Sequence, residues 1–288
     1  MPRRRTGSVS GASFVKGNSF LLYVLYFILI AGICVLLYGW WDTNRFNVRQ
    51  VEIELDRLPK SFDGFTILQV SDLHDRSDGK DGRALLRAIE TLNFDMAALT
   101  GDLLDRHLPK RRKNVYALLE VLIDIAPVYF VEGNHEAEIG HWDSIKAELM
   151  DRGVRVLDNE AVTLMGKDEQ LALCGIREEA SPEEFEGLIP QDGCTVLLAH
   201  HPERIEDYAK TGVNLVLSGH AHGGHVRLFG QGLYSPDQGI LPRYTSGVYL
   251  CGQTKLYVSR GAGNHSFLPP RIFNRPEIDL ITLKTPSR

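Results

Sequence analysis

The chain has 288 residues and 43% hydrophobic content, enough to bury a sizeable core in one large domain or two small ones. Its formal net charge is −5, and residues 1–41 contain four basic and no acidic residues, which leaves 28 basic against 37 acidic residues in the remainder. An acidic main body excludes a broad phosphate-binding surface, so we expect no nucleic-acid partner.

The first predicted element is an apolar helix. Phe20 to Trp41 runs 22 residues without a charge, and a helix of that length crosses a hydrocarbon core of about 30 Å. A cleaved signal peptide instead has a shorter apolar region, of about 7 to 15 residues, followed by a small-residue cleavage site. The sequence therefore predicts a basic tail over residues 1–19, a transmembrane anchor over residues 20–41, and a linker with a first strand over residues 42–64.

Positive charge flanks this segment on both sides. The two flanks contain Arg3, Arg4, Arg5 and Lys16 before it and Arg45, Arg49, Arg57 and Lys60 after it. Because a basic flank tends to stay in the cytoplasm, the acid-free amino-terminal flank favours a single-pass protein of the cell (inner) membrane whose large domain is extracytoplasmic. The equal charge on the second flank leaves the opposite orientation open.

Beyond the anchor, short apolar runs alternate with amphipathic stretches, which indicates layered sheets and helices. Buried strands that end in polar residues or glycine are predicted over residues 65–71, 94–100, 126–132, 194–200 and 214–219. Helices are predicted over residues 82–92, 113–125 and 142–153, and another begins after Ser181. Two later strands are predicted over residues 255–261 and 277–284.

Metal-ligating side chains follow the first five strands. They are Asp72 and His74, Asp102 and Asp105, Asn134 and His135, His200, and His220 and His222. Ligands of open α/β sheets bind at the carboxyl edge of the strands, and alternate residues of an extended segment project to one side. We therefore expect these side chains to face one site. Taken singly, each has a simpler interpretation as a helix cap, a turn residue or a satisfied polar side chain.

The donor set of this group indicates the kind of metal. Oxygen and imidazole ligands suit manganese, iron or zinc better than calcium, and the absence of thiolates argues against a structural zinc site. Seven candidate ligands among these nine side chains are too many for one tetrahedral ion and suit two ions that share a bridge. Paired metals about 3.5 to 4 Å apart clamp the attacking and leaving oxygens of an in-line displacement. The sequence therefore predicts a phosphate-ester substrate.

The ordered motifs D-x-H, G-D-x-x-D, G-N-H-E, a single H and G-H-x-H resemble the calcineurin-like metallophosphoesterase superfamily over about residues 65–284, and the tail over residues 257–284 looks like its membrane-associated bacterial phosphodiesterase branch. The resemblance implies a four-layer α-β-β-α sandwich over residues 65–288, preceded by one transmembrane helix. The first metal would be held by Asp72, His74, Asp102 and His222. The second would be held by Asp102, Asn134, His200 and His220, with Asp102 as the bridge.

The resemblance also implies the catalytic groups. His135 would act as the general acid and Asp105 would orient it, while a metal-bridging hydroxide attacks without a phosphoenzyme. The resemblance implies two divalent ions, for which manganese is the first expectation and iron, zinc and cobalt are the alternatives. Position 225 departs from the branch, which commonly has glutamine there, and we expect His225 to lie at the surface or beside the metal ligands.

The predicted function is a membrane-anchored dimetal phosphoesterase that hydrolyses a phosphodiester or pyrophosphate bond, including that of a lipid-linked or nucleotide-linked substrate such as UDP-diacylglucosamine. Two alternatives stay open: a phosphomonoesterase or phosphoprotein phosphatase on the same centre, and a metal-binding scaffold without catalysis. Residues 227–247 and 266–277 combine apolar side chains with Arg227, Arg243, Arg271 and Arg275. These segments either grip a second phosphate and meet lipid or a nucleobase, or are ordinary core edges and solvated charges.

Overall fold

The computed structural model describes residues 12–75, 81–107, 112–263 and 271–286, with the side chains of 12–18, 81 and 82 left aside. Residues 1–11 of the predicted basic tail lie outside the described residues. The helices are α1 (Ala12–Thr43), α2 (Asp81–Glu90), α3 (Lys113–Ile125), α4 (Asn134–Ala137), α5 (Trp142–Asp151), α6 (Pro182–Glu186) and α7 (Ile205–Lys210). The first nine strands are β1 (Asn47–Glu54), β2 (Thr66–Val70), β3 (Met96–Thr100), β4 (Val128–Val131), β5 (Arg155–Val156), β6 (Glu160–Met165), β7 (Gln170–Gly175), β8 (Thr195–Leu198) and β9 (Leu215–Ser218). The remaining strands are β10 (Arg227–Leu228), β11 (Gln231–Gly232), β12 (Tyr234–Ser235), β13 (Gly239–Ile240), β14 (Gly247–Cys251), β15 (Thr254–Val258) and β16 (Glu277–Lys284).

Two six-stranded sheets form the centre of the fold. The first has the order β1-β16-β2-β3-β4-β5, and the second has the order β14-β15-β9-β8-β7-β6. Strands β2 to β5 are parallel to one another, as are β7, β8, β9 and β15. Parallel strands align their carboxyl ends at one edge of a sheet, which is why residues from distant parts of the chain can meet there.

Three hydrophobic cores separate four layers. Ile67 and Ala98 of the first sheet pack against Leu173, Leu198 and Leu217 of the second between the sheets. Helices α2, α3 and α5 cover the outer face of the first sheet, and α6 and α7 cover the outer face of the second. Strands buried on both faces need continuous apolar runs, which is the pattern of β2, β3, β8 and β9. The predicted α-β-β-α sandwich is therefore confirmed.

Local sequence explains the helices that cover the sheets. Helix α3 coincides with the predicted segment 113–125 and buries Val115, Leu118, Leu119 and Leu122, one stripe at helical spacing. Helix α6 begins after Ser181, whose hydroxyl accepts from the Glu184 backbone N–H while the Glu184 carboxylate accepts from the Ser181 N–H. Pro182 occupies the first position of α6, where its missing N–H costs nothing.

Helix α1 extends beyond the predicted span of residues 20–41 at both ends, and it includes Asp42 and Thr43. Its segment Ser19–Thr43 is long and apolar enough to cross a membrane, by length and composition. The carboxyl end of α1 is held by the main body: Arg275 donates to Asp42 Oδ1 at 2.7 and 2.9 Å, and Thr43 Oγ1 donates to the Arg271 carbonyl at 3.1 Å. The chain then enters β1, which pairs in parallel with β16.

Candidate metal centre

The predicted ligands lie together beyond the carboxyl ends of β2, β3, β4, β8 and β9, in tight turns. The prediction that alternate residues of extended segments bring these side chains to one site is wrong, because the backbone at several of them is not extended. Five of these turn residues have positive φ angles, which residues other than glycine rarely adopt. They are Asp72 (52°), His74 (50°), Asp102 (54°), His220 (65°) and His222 (46°). Such conformations cost about 1 to 3 kcal/mol each and persist where surrounding structure enforces them, typically at functional sites.

Glycines allow these turns to approach one another. A Cβ atom on Gly219 would lie 1.8 Å from Ser71 Oγ and 2.4 Å from Asp72 Oδ2. A Cβ atom on Gly133 would lie 2.4 Å from Asp102 Oδ1. All three distances are far shorter than van der Waals contact, so close packing of the loops requires glycine at both positions.

Asp72, His74, Asp102 and His222 form the first group, and all four are buried. Their candidate ligand atoms lie within 4.8 Å of one another. The Nε2 atoms of His74 and His222 face each other at 3.1 Å, and His222 Nε2 lies 3.6 Å from Asp72 Oδ1. His74 Nε2 lies 3.9 Å from Asp102 Oδ2.

Asp102, His200 and His220 form the second group, with Asp102 shared. His200 Nε2 lies 3.4 Å from Asp102 Oδ2 and 3.3 Å from His220 Nδ1. His200 Nδ1 is 2.7 Å from the Thr100 carbonyl, which accepts its proton and leaves Nε2 as the free donor atom for a metal. Asn134 lines the cleft beside Asp102, and its Oδ1 is buried without a hydrogen-bond partner among the described residues.

The two groups fit divalent cations. Imidazole nitrogens face each other at hydrogen-bond distance within each group, carboxylates converge on the same points, and Asn134 Oδ1 is a buried acceptor that lacks a donor. Buried acceptors of this kind need either protons or a cation. The ligand set predicted from sequence is brought together at this site, and its roles stay a prediction.

Charges in the site influence one another strongly. Burial alone would raise the pKa of Asp102, but the charge and hydrogen bond of His200, with His74 and His135, hold it well below its usual range. Burial raises the pKa of Asp72, and Asp102 adds to that increase. Burial, His74 and Arg271 lower the pKa of His222 well below its usual value. Asp102, the carboxylate common to both groups, is therefore the residue of the site whose anionic form is favoured most clearly.

His135 lies at the edge of the second group. Its backbone N–H donates to Asp102 Oδ1 at 2.9 Å, and its Nδ1 accepts from the Arg106 N–H at 3.2 Å. A neutral imidazole that accepts at Nδ1 carries its proton on Nε2. That Nε2 lies 4.0 Å from Asp102 Oδ2 and borders the cleft, while Asp105 Oδ1 is 3.7 Å from Nδ1. The orienting role of Asp105 stays a prediction.

Glu136 is a structural partner of the site that sequence reasoning missed. Its carboxylate accepts from the backbone N–H groups of Asp102, Leu104 and Gly133 at 2.8, 2.9 and 2.9 Å, which ties the β3 turn to the β4 turn. Burial and the charge of Asp102 raise the pKa of Glu136 to about 8. The sequence feature that could have indicated this role is the position of Glu136 directly after His135 in the G-N-H-E motif.

His222 and His220 are also held by residues that no motif spacing indicated. The buried Arg271 places Nη2 3.0 Å from His222 Nδ1, and Asn274 donates to the His222 carbonyl at 2.7 Å. Asp237 Oδ2 lies 2.8 Å from His220 Nε2. Carboxylate partners of ligating histidines fix the ring orientation and tautomer.

A cleft of about 570 Å³ opens over the centre. His201, the residue after His200, lines this cleft and lies against the His220 ring at 4.2 Å between centroids. Burial alone would lower the pKa of His201, but hydrogen bonds to Glu178 and Glu203 raise it to about 9. His225 is buried and stacks on His222 at 5.4 Å, so it lies beside the ligands and not at the surface.

Three of the four arginines suggested as a phosphate grip already have protein partners. Arg227 is 8% exposed and donates to the carbonyls of Gly223 and Gly230, and Arg271 is fully buried against backbone carbonyls. Arg275 pairs with Asp42. Arg227 and Arg271 are therefore not accessible to a second phosphate, and Arg243 alone of the four is exposed.

Comparison with known proteins agrees with this geometry. The family model of the calcineurin-like phosphoesterases matches residues 65–224. The chain is 31% identical over 257 residues to the uncharacterized metallophosphoesterase YkuE of Bacillus subtilis (strain 168), covering 85% of this chain and 87% of that protein. It is 30% identical over 273 residues to an uncharacterized metallophosphoesterase of Aquifex aeolicus (strain VF5), covering 88% and 98%.

A bovine relative is named as a transmembrane protein with a metallophosphoesterase domain. It is 29% identical to this chain over 263 residues, and the match covers 82% of this chain but 57% of that longer protein. The matched model and the bacterial relatives show that this chain belongs to the calcineurin-like phosphoesterase family. Membership of this family implies that the chain is a metal-dependent phosphoester hydrolase.

Proposed function

We propose that this chain is a membrane-anchored dimetal phosphoesterase that cleaves phosphodiester or pyrophosphate bonds. The observation that carries the proposal is the pair of ligand groups that share Asp102, one with Asp72, His74 and His222 and the other with His200 and His220. Asn134 completes the second group through its buried Oδ1. When bound, divalent cations supply Lewis acidity, which makes water a nucleophile at neutral pH and neutralises charge on the phosphoryl oxygens.

His135 is the proposed general acid. Its Nδ1 accepts from a backbone N–H, so the neutral ring carries its proton on Nε2, at the cleft wall beside Asp102. That position allows it to donate the proton to a leaving oxygen, which is worth about 10² to 10⁴ in rate. The fixed backbone donor keeps the same tautomer ready for each turnover.

The charge around the cleft favours a diester over a monoester. Glu138, Glu178 and Asp237 line the cleft, against two basic side chains: Arg106, paired with Glu138 at 2.6 Å, and His201, paired with Glu178 and raised in pKa to about 9. Acidic side chains are therefore still in excess at the rim. A phosphomonoester is a dianion near neutral pH and a diester is a monoanion, so an acidic rim repels the monoester more strongly. This supports diester or pyrophosphate cleavage, with lipid-linked and nucleotide-linked substrates such as UDP-diacylglucosamine as candidates.

The anchor is proposed from α1. Its apolar segment has the length and composition of a single span, and relatives from Bos taurus and Danio rerio are named as transmembrane proteins. We propose an anchor over residues 20–41, a linker and first strand over 42–64, and a catalytic domain over 65–288 that lies outside the cytoplasm at the cell (inner) membrane. The basic amino-terminal flank supports this orientation.

The test compares two soluble reporters that share a leaving group. The full chain, purified in detergent and loaded with manganese, iron, zinc or cobalt in separate samples, is assayed with bis-p-nitrophenyl phosphate and p-nitrophenyl phosphate. We expect the diester to be the better substrate by kcat/KM with at least one metal. Dominant monoester cleavage would favour the phosphatase alternative, and bound metal without turnover of either compound would favour a non-catalytic scaffold.

A further inference from the structure

Two small hairpins and a neighbouring loop carry a row of exposed apolar side chains, which we call the crest. Its members are Leu228, Phe229, Ile240, Leu241 and Phe273, with exposed fractions of 43, 108, 82, 62 and 53%. Scattered exposed apolar residues are ordinary, but contiguous ones mark a surface for a partner or a membrane. The crest therefore needs an explanation from its neighbours.

The crest is continuous through backbone hydrogen bonds. Phe273 follows Ile272, which bridges Val226 at the start of the β10–β11 hairpin. The Leu233 N–H donates to the Val226 carbonyl at 2.9 Å, and the Leu241 N–H donates to the Leu233 carbonyl at 2.9 Å. These hydrogen bonds hold the segment before Phe273, the β10–β11 hairpin containing Phe229 and the β12–β13 hairpin next to one another.

The crest adjoins the helix proposed to cross the membrane. The Phe273 ring lies 5.0 Å from the Tyr38 ring of α1, and Arg275 pairs with Asp42 at its end. Trp40 and Trp41 are 64 and 48% exposed, and tryptophans concentrate at the membrane–water interface. Phe273, beside Tyr38, therefore lies at the depth where a bilayer that contains α1 would have its surface.

The charge of this part of the chain suits a phospholipid surface. Asp237 is the one acidic residue among residues 226–258, although the whole chain has a net charge of −5. Of the basic residues in this range, Arg227 is buried and Lys255 donates to the Glu54 carbonyl, which leaves Arg243 for the surface. Arg243 is exposed two residues from Leu241, and Arg45 is exposed just after α1. Basic side chains beside inserted apolar ones are the usual combination in proteins that bind anionic lipid surfaces.

The backbone at the crest is strained. Phe229, Leu241 and Phe273 have φ angles of 51°, 55° and 53°, a region that bulky side chains rarely adopt. Strain of this kind clusters where a side chain is presented to a ligand. Phe229 is fully exposed, so burial against the described residues does not offset the cost of its backbone conformation.

We propose that the crest inserts into the surface of the bilayer that holds α1, so that the cleft opens onto the membrane and receives phosphoesters carried by lipids. The β12–β13 hairpin links the two: Tyr234 lines the cleft and pairs with Ile240 of the crest. Pro236 and Asp237, in the turn of the same hairpin, also line the cleft. The substrate class rests on the proposed function, whereas insertion of the crest does not.

Depth-dependent fluorescence quenching tests insertion. The full chain with Phe229→Trp is reconstituted in vesicles of equal parts phosphatidylcholine and phosphatidylglycerol, with or without brominated acyl chains, and the wild-type signal of the native tryptophans is subtracted. The matched control is Met165→Trp, because Met165 is 71% exposed on β6, at the opposite edge of the second sheet from β14. We expect brominated lipid to quench the emission added at position 229 and not that added at position 165.

Two results would overturn insertion. One is equal quenching, or none, for both variants. The other is emission at position 229 that shifts with protein density but not with brominated lipid, which would show that a second copy covers the crest.

A matched pair of substrates tests the substrate class. Phe229→Ser is assayed on p-nitrophenyl hexadecyl phosphate in the same vesicles and on bis-p-nitrophenyl phosphate in solution, since Phe229 does not line the cleft. We expect turnover of the vesicle-bound diester to fall about tenfold or more, the effect of losing one buried aromatic side chain, with the soluble diester unchanged. Equal loss on both, or on neither, would contradict membrane delivery. Absence of soluble-diester turnover in the wild type would reject the proposed function and leave the quenching result intact.

Discussion

The Asp237 carboxylate lies 2.8 Å from His220, Oδ2 to Nε2, although its side chain is 58% exposed and it belongs to the turn of a two-stranded hairpin. This contact leaves Nδ1 of His220 facing His200 within the second ligand group. His220 also lowers the pKa of Asp237 through this hydrogen bond. A residue in the turn of the β12–β13 hairpin thus positions a proposed metal ligand, which couples this hairpin to the candidate metal centre.

We expect Asp237→Ala to weaken metal binding at the second group. Loss of a carboxylate that orients a ligating histidine costs about 10- to 100-fold in metal affinity. The measurement is manganese titration by isothermal calorimetry of chelator-treated protein, with the exposed Asp192→Ala as the control. Unchanged affinity for both sites in Asp237→Ala would show that the contact is incidental.

Asp102→Asn should lose metal from both groups. Asp102 is the carboxylate common to the two groups, and its Oδ2 lies 3.4 Å from His200 Nε2 and 3.9 Å from His74 Nε2. An amide at this position removes the negative charge that a bridge between two cations requires. Metal content by elemental analysis should fall from two ions per chain towards none. Retention of two ions would reject Asp102 as the bridge.

His135→Ala should separate binding from catalysis. Its imidazole belongs to neither ligand group, so metal content should stay near that of the wild type. Turnover of bis-p-nitrophenyl phosphate should fall by about 10² to 10⁴, the usual contribution of a general acid. Replacement of exposed His141 by alanine is the control. Wild-type turnover in His135→Ala would remove the assigned acid.

Glu136→Gln should destabilise the fold around the centre. The amide can accept with one oxygen only, so at least one of the three backbone N–H groups that now donate to the carboxylate loses its partner. Leaving a buried donor unsatisfied costs about 1 to 3 kcal/mol in free energy of unfolding. Thermal melting of the detergent-solubilised chain measures it, against Glu138→Gln, whose side chain is 56% exposed. Equal melting temperatures for the two variants would contradict the proposed role of Glu136 in holding the β3 and β4 turns together.

Asp279 predicts a pH dependence of stability away from the metal site. Burial, together with the charge of Glu277, raises the pKa of Asp279 to about 8, and its Oδ1 accepts from the Tyr257 hydroxyl at 2.6 Å. The folded pKa is above the unfolded value of about 3.9, so the folded state binds the extra proton between these limits. The stability from this group is full at the acid end and is lost as pH rises through about 8.

Asp279→Asn should therefore flatten the dependence of melting temperature on pH between about 5 and 8, because the neutral amide has no proton to lose. The exposed Asp168→Asn should retain the wild-type slope. Parallel slopes for all three proteins would show that Asp279 does not titrate in this window.

Much of the fold and the site was predictable because the signals are local. Continuous apolar runs predicted β2, β3, β8 and β9, since strands covered on both faces admit few polar residues. The leucine spacing predicted α3, and Ser181 predicted the start of α6. The polar residues directly after the strands could be expected to meet, because the carboxyl ends of parallel strands share an edge, and the structure brings them together there.

The amino-acid sequence was enough to identify the family and the layered architecture, and it predicted which side chains would serve as metal ligands. How these side chains converge depends on packing, through left-handed turns held by the Glu136 carboxylate, by Asn274 at His222 and by Asp237 at His220. The tertiary structure also decided that Arg227 and Arg271 are buried and that Phe229 and Ile240 are exposed. The physical reason is that these contacts join residues brought together by packing, where spacing along the chain carries no signal.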